Sequence, residues 1–313
     1  MSGQDVAASE APPSWWDSDL VYDFLHSPVA IIAALVALAL ASSAIGADFI
    51  APYDSSNPAV ANVVDARLPP GAEGLMGDRY LLGTDPQGRD MLSAIIYGLR
   101  TSLIVGVASV LFAAAVGITL GLLAGYYGGL LDAAIMRIAD VQLSFPAILI
   151  ALLIDGLTRT VMDRTMHDIL AVPVLIVAIA ASYWVQYART VRGLVLVERG
   201  KEYVLAARVT GVSPWRIILT HIEPNVIGPV LVIATINLSL AILTEATLSF
   251  LGVGVPPTMP SLGSLVRIGN EFLFSGDWWI SIFPGAVLVA LCLSVNLLGD
   301  WLRDALNPKL SHA

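Results

Sequence analysis

Charge is what this 313-residue sequence has least of: only 13% of its residues are Asp, Glu, Lys or Arg, against 57% hydrophobic ones. A soluble globular chain carries about 25% charged residues, so this one lacks the polar surface to face water all round. Mean hydropathy is +0.78, and a bilayer supplies the missing solvent. Lysine is nearly absent, with Lys201 and Lys309 alone, and the net charge is -9. That excludes the clustered basic footprint of a nucleic-acid binder. Cys292 is the single cysteine, so no intramolecular disulfide can form. The four histidines, His26, His167, His221 and His312, are scattered, and no His/Cys/Asp set stands at metal-ligand spacing. No convergent nucleophile and base are visible, which argues against a membrane enzyme. The phosphate-cradling pattern G-x-x-x-x-G-K-S/T is missing too: Gly200-Lys201 is followed by Glu202, and position 195 is a valine.

What the sequence has is long apolar runs. A span needs about 20 apolar residues at about 1.5 Å rise each. Pro28 to Ala47, Thr101 to Gly125, Ile169 to Ala188 and Ile280 to Gly299 carry no charge over that length. Two more runs qualify with blemishes: about 134–155, with Arg137 and Asp140 in its first turns, and about 226–247, with Glu245. The first run follows acidic residues and has no small-residue cleavage site, so it reads as a retained span. These runs predict an all-α integral membrane protein with about six transmembrane helices and one membrane domain over 28–302. Residues 1–27 read as a tail, with Met1 to Ser14 disordered and Trp15, Trp16, Leu20, Tyr22 and Phe24 at the interface. Residues 303–313 form a second tail, and about 48–100 a polar, proline-rich outer loop. Gly83-Thr84-Asp85-Pro86 reads as a turn with a helix N-cap and a proline at the first helical position. Leu92, Ile95, Ile96, Leu99 and Leu103 then line one helical face leading into the second span.

With the N-terminus inside, nine Lys/Arg fall on the inner face and seven on the outer, a weak positive-inside bias. Concentration says more. Arg189, Arg192, Arg199, Lys201, Arg208 and Arg216 all fall between spans four and five. That loop (189–225) is therefore expected in the cytoplasm, with both termini. Within it, Glu202 to Thr210 reads as a short helix stopped by Gly211, and Ser213-Pro214 restarts a second one that ends before Pro224. Small side chains on one face let another protein approach, while the arginines and Glu202 fix register. An ordinary solvated basic loop is the competing reading.

At this point the residues resemble a family. Ala206-Ala207, Gly211 and Pro224 match the EAA-type loop of ABC importer permeases. Glu202-Tyr203-Val204 with Arg208, and His221-Ile222 with Pro224-Asn225, are similar to the dipeptide/oligopeptide/nickel branch, closest to its C-type dipeptide permease subunits. So are Leu82-Gly83-Thr84-Asp85 with Gly88-Arg89-Asp90, Gly125-Tyr126-Tyr127-Gly128-Gly129, Asp140 with Phe145-Pro146, Leu248-Ser249-Phe250-Leu251-Gly252, and Gly299-Asp300-Trp301-Leu302-Arg303-Asp304. The resemblance runs from about residue 20 to the C-terminus. It implies a type I ABC importer permease fold in a bacterial inner membrane, forming half of a pathway for di- or oligopeptides with a second homologous permease. It further implies cytoplasmic ATPase subunits that bind ATP and Mg, an external binding protein that delivers substrate, and no cofactor or catalysis in this chain. The ATPase would dock on Glu202, Tyr203, Ala206, Ala207, Arg208, Gly211, Ser213 and Pro214. Two positions depart from the pattern: Leu205 replaces the usual acidic anchor, which leaves Glu202 one turn away, and Glu223 replaces a usual leucine. A nickel or other small-solute importer stays open as an alternative. A self-sufficient secondary transporter would need mid-span ion-coupling carboxylates and matched broken helices, which the sequence does not display.

Three further features invite a role. Gly117, Gly121 and Gly125 form a small-xxx-small stripe for close helix packing, static or moving. Glu245 either lines the pathway, to meet a peptide's amino group, or lies near the outer interface. Asp140 and Asp300 fall close to the inner boundary and are expected to pair with Arg137 or Arg303.

Overall fold

The computed structural model describes residues 19–53, 63–75, 77–256 and 258–306. The expected tail at Met1–Ser14, Trp15, Trp16 and most of the C-terminal tail lie outside the described residues. Those described are helical, with no β-strand beyond two isolated bridges, Glu73–Arg79 and Thr84–Asp90.

A short α1 (Asp19–His26) leads to α2 (Pro28–Ile45), which Ser27 caps by accepting from the Ala30 amide at 3.3 Å, with Pro28 in its first turn. A single turn, α3 (Ala47–Ile50), opens the long loop. The helix after that loop is α4 (Met91–Tyr127), whose N-cap is Asp90, accepting from the Ser93 amide at 2.8 Å. Asp85-Pro86 does not begin a helix. Asp85 instead closes a turn, accepting from the Gln87 and Arg89 amides at 2.8 and 2.9 Å and from Arg89 Nε at 2.7 Å. Gly88, at φ +76°, prevents helical continuation there. The predicted apolar face of α4 is buried, with Ile95 4%, Ile96 6% and Leu99 1% exposed.

The third span is not one rod. It is α5 (Gly129–Leu143) and α6 (Ala147–Val161), bent by 92°. Pro146 causes the break, because a residue before proline is pushed out of the helical region. The fourth span, α7 (Arg164–Glu198), extends ten residues past its predicted end at Ala188. Arg189 and Arg192 are thus helical, their charges met by Asp140 and Asp132 of α5. The basic loop proper contracts to α8 (Glu202–Val209) and α9 (Pro214–Ile217).

The second loop helix does not end before Pro224 either. The chain passes through a π-helical turn at Ile218–Ile222 into α10 (Glu223–Phe250), making Pro214–Phe250 one apolar stretch. In that turn the Glu223 amide reaches back to the Ile218 carbonyl, and the widened turn accommodates the ring and missing N–H of Pro224. A short α11 (Leu262–Phe272) precedes α12 (Trp279–Ala305). Among the described residues, five helices or continuous stretches are long and apolar enough to cross a membrane, and the bent pair, counted as one span, makes six.

One apolar core joins α4, α7 and α10 to the basic loop, burying Val204, Ile217, Ile218 and Ile222 completely or nearly so. A second, at the opposite end, joins α2, α4, α11 and α12 around Met91, Leu262 and Ile280. The long loop rests on that end, where Trp279 Nε1 donates to the Thr84 carbonyl at 3.2 Å.

Candidate functional site

The basic loop is a clasp with one buried and one open face. Val204 and Ala207 point into the core, at 0% and 8% exposure, while Tyr203, Leu205, Val209 and Trp215 are 39%, 46%, 89% and 57% exposed. Glu202, Ala206, Arg208, Gly211, Ser213 and Pro214 also lie on the open face. Seven of the eight predicted docking residues are therefore exposed, and Ala207 alone is buried. Leu205, where an acid was expected, is on that surface one helical turn from Glu202.

Gly211 has φ +79° and no atom near a would-be Cβ, so the backbone conformation alone demands glycine. The Val212 amide bonds to the Ala207 carbonyl and the Gly211 amide to that of Arg208, both near 3.0 Å, which closes the C-terminus of α8. Ser213 has the extended geometry of an N-cap, but its side chain makes no capping bond, and Pro214 supplies the helix start.

Three anchors tie this clasp to the spans. The Tyr203 hydroxyl donates to the Glu198 carboxylate at the end of α7 and accepts from Asn225 Nδ2 of α10 at 3.2 Å. Lys201 Nζ donates to the same carboxylate at 2.6 Å. Arg199 donates to the Gly125 carbonyl of α4 at 2.8 Å, and the Arg208 guanidinium lies 4.8 Å from the centre of the Tyr126 ring. The bond to Glu198 pushes the Tyr203 hydroxyl up to about 12 from its ordinary 10.0. A raised tyrosine favours the neutral donor, so this anchor is intact below pH 10 and is lost only as pH climbs towards 12. Glu198 escaped sequence reasoning and Asn225 entered it only as part of a motif, because nothing local marks either as a partner of a tyrosine on another helix.

Glu245 is buried within the helix bundle, five residues before the end of α10. It is 0% exposed, and Ser102 and Ser249 donate to its two oxygens at 2.6 and 2.7 Å. Ser249 borders a cavity of about 470 Å³ at that end of the bundle, which Arg89, Arg159 and Arg267 also line. Asp140 pairs with Arg189 of α7 rather than with Arg137, and Asp300 is exposed on α12. The glycine stripe faces α7: Cβ atoms on Gly117, Gly121 and Gly125 would come within 2.5 to 2.8 Å of Trp184, Tyr187, Ala188, Val191 and Val195.

Comparisons with known proteins agree with this architecture. The family model for the binding-protein-dependent transport system inner membrane component matches residues 117–312. The dipeptide transport system permease protein DppC of Haemophilus influenzae is 38% identical over 289 residues, covering 92% of this chain and 93% of that protein. The glutathione transport system permease protein GsiD of Pectobacterium atrosepticum is 38% identical, covering 92% and 89%. The oligopeptide transport system permease protein OppC of Bacillus subtilis is 32% identical, covering 99% and 94%. Among solved structures, a chain of the MetNI methionine ABC transporter in an inward-facing conformation superposes with TM-score 0.55 at 20% identity, over 69% of this chain and 98% of that one. That likeness establishes the fold. The chain belongs to the binding-protein-dependent inner membrane components, the non-catalytic, membrane-spanning permease subunits of ABC importers whose ATPase is a separate subunit.

Proposed function

We propose that this chain forms half of the translocation pathway of a peptide importer, with a second, homologous permease as the other half. Its basic loop docks a cytoplasmic ATPase, and an external binding protein delivers the peptide. The observation that carries the docking role is the clasp itself: an exposed face held from behind by bonds to the ends of α4, α7 and α10. A push on such a face reaches three spans without passing through flexible chain. The peptide cargo rests on the relatives, whose names specify dipeptides, oligopeptides and glutathione. Both termini lie on the cytoplasmic side.

The test is dipeptide uptake by proteoliposomes holding the full complex, with Gly211→Val as the probe variant. A β-branched residue at φ +79° is strained by roughly 1–2 kcal/mol, which displaces Ser213 and Pro214 from the docking face. The variant is expected to hydrolyse ATP with little uptake. Uptake equal to wild type would refute the docking role.

A further inference from the structure

The last turn of α5, the second half of α7 and the middle of α10 border an open cavity of about 500 Å³ whose lining includes Gln186, Arg189, Thr190 and Asn237. Asn237 stands fourteen residues from Glu223 and thirteen from Phe250, the two ends of α10. Arg189 stands nine residues, about 14 Å of helix, from Glu198 at the end of α7. Both residues belong to stretches long and apolar enough to cross a membrane.

Two features of the lining are out of place for a wall facing lipid. Arg189 of the lining pairs with Asp140, one turn before Leu143 on α5, while the two side chains are 46% and 52% exposed. An ion pair open to hydrocarbon is strongly disfavoured, so this face looks onto water or protein. Asn237 is 1% exposed, and its side-chain amide faces the buried Tyr187 hydroxyl. Bracing α5 against α7 does not require the exposed pair. Asp132 and Arg192, nearer the basic loop, join the same two helices with side chains only 17% and 33% exposed.

We propose that the Asp140–Arg189 pair and the Asn237 amide form a transit site for the zwitterionic ends of a peptide. The inference rests on the peptide reading above and deepens it. A passing peptide places its carboxylate on the Arg189 guanidinium, whose fork suits two parallel bonds. Its ammonium replaces Arg189 on Asp140, and Asn237 Nδ2 donates to a peptide carbonyl. Each protein charge exchanges one partner for another, so the cargo passes this level without stripping any charge bare. No covalent step is involved.

The experiment measures dialanine moved per ATP hydrolysed in proteoliposomes holding the complete importer, after gel filtration shows that each variant assembles. Arg189→Gln is expected to lower that ratio about tenfold, and Arg189→Lys to restore at least a third of it. The double variant Asp140→Asn/Arg189→Gln is expected to be no better than Arg189→Gln. A ratio unchanged by Arg189→Gln would overturn the proposal. So would recovery in the double variant, since a merely structural pair is relieved when both charges go. Wild-type importer that hydrolyses ATP but moves no dialanine would instead sink the peptide reading.

Discussion

Glu245 has no exposed surface, yet its α10 crosses the membrane. Its oxygens are answered by Ser102 of α4 and Ser249 of α10, and Ser102 Oγ also stands 3.4 Å from the Leu262 amide at the start of α11. Three helices therefore meet on one carboxylate. The sequence marks Glu245 as costly at depth, but it cannot reveal this arrangement, because Ser102 lies 143 positions away and looks like any membrane serine. Replacing Glu245 by alanine leaves two buried hydroxyls without their acceptor, a loss of about 1–3 kcal/mol. Glutamine keeps an acceptor oxygen and should lose less. Thermal unfolding of the purified protein in detergent should rank wild type above Glu245→Gln above Glu245→Ala. If the alanine variant melts with wild type, the network contributes nothing to stability.

Helices are easier to read than their breaks. Apolar runs announced α2, α4, α7, α10 and α12, because lipid requires about 20 such residues whatever the neighbours are. The bend between α5 and α6 and the π turn before α10 hid inside equally apolar runs, although Pro146 and Pro224 mark both. The extension of α7 to Glu198 was hidden for another reason: Arg189 and Arg192 look like loop residues until their α5 partners are known. The glycine stripe, by contrast, was legible, and only its partner helix was not. A Cβ on Gly121 would lie 2.7 Å from the Ala188 carbonyl and 2.8 Å from Val191 Cβ. Neither atom can rotate away, so Gly121→Leu must force α4 and α7 apart. Overpacking of this kind costs about 1–3 kcal/mol. On α7, Gly193 has nothing within 4 Å of its would-be Cβ and serves as the control. Protease resistance of the detergent-solubilised protein should fall for Gly121→Leu and stay at the wild-type level for Gly193→Ala. Equal resistance of the two variants would mean that the stripe is not a tight contact.

The register of that stripe also decides the path of the whole chain. Gly117 meets Trp184 and Tyr187, Gly121 meets Ala188 and Val191, and Gly125 meets Val195. Both numbers rise together, so α4 and α7 run parallel. A chain leaving α4 must recross the membrane before it can enter α7 in the same direction, and only α5 and α6 lie between them. The bent pair is therefore a crossing rather than a re-entrant loop. With it the described residues hold six candidate crossings, which puts the start of α2 and the end of α12 on one side. Charge alone gave a weak orientation, nine basic residues against seven, whereas helix direction fixes which segments share a side. The basic loop and the end of α12 belong together, opposite the long loop at 63–90. In a Cys292→Ala background, a membrane-impermeant maleimide added to intact cells should label Leu75→Cys, whose position is 76% exposed. It should leave Ser213→Cys and Asp304→Cys untouched until the cells are opened, both positions being exposed on the other side. Labelling of Ser213→Cys in intact cells would reverse the orientation. Labelling of Asp304→Cys but not Ser213→Cys would break the even count and return α5 and α6 to one face.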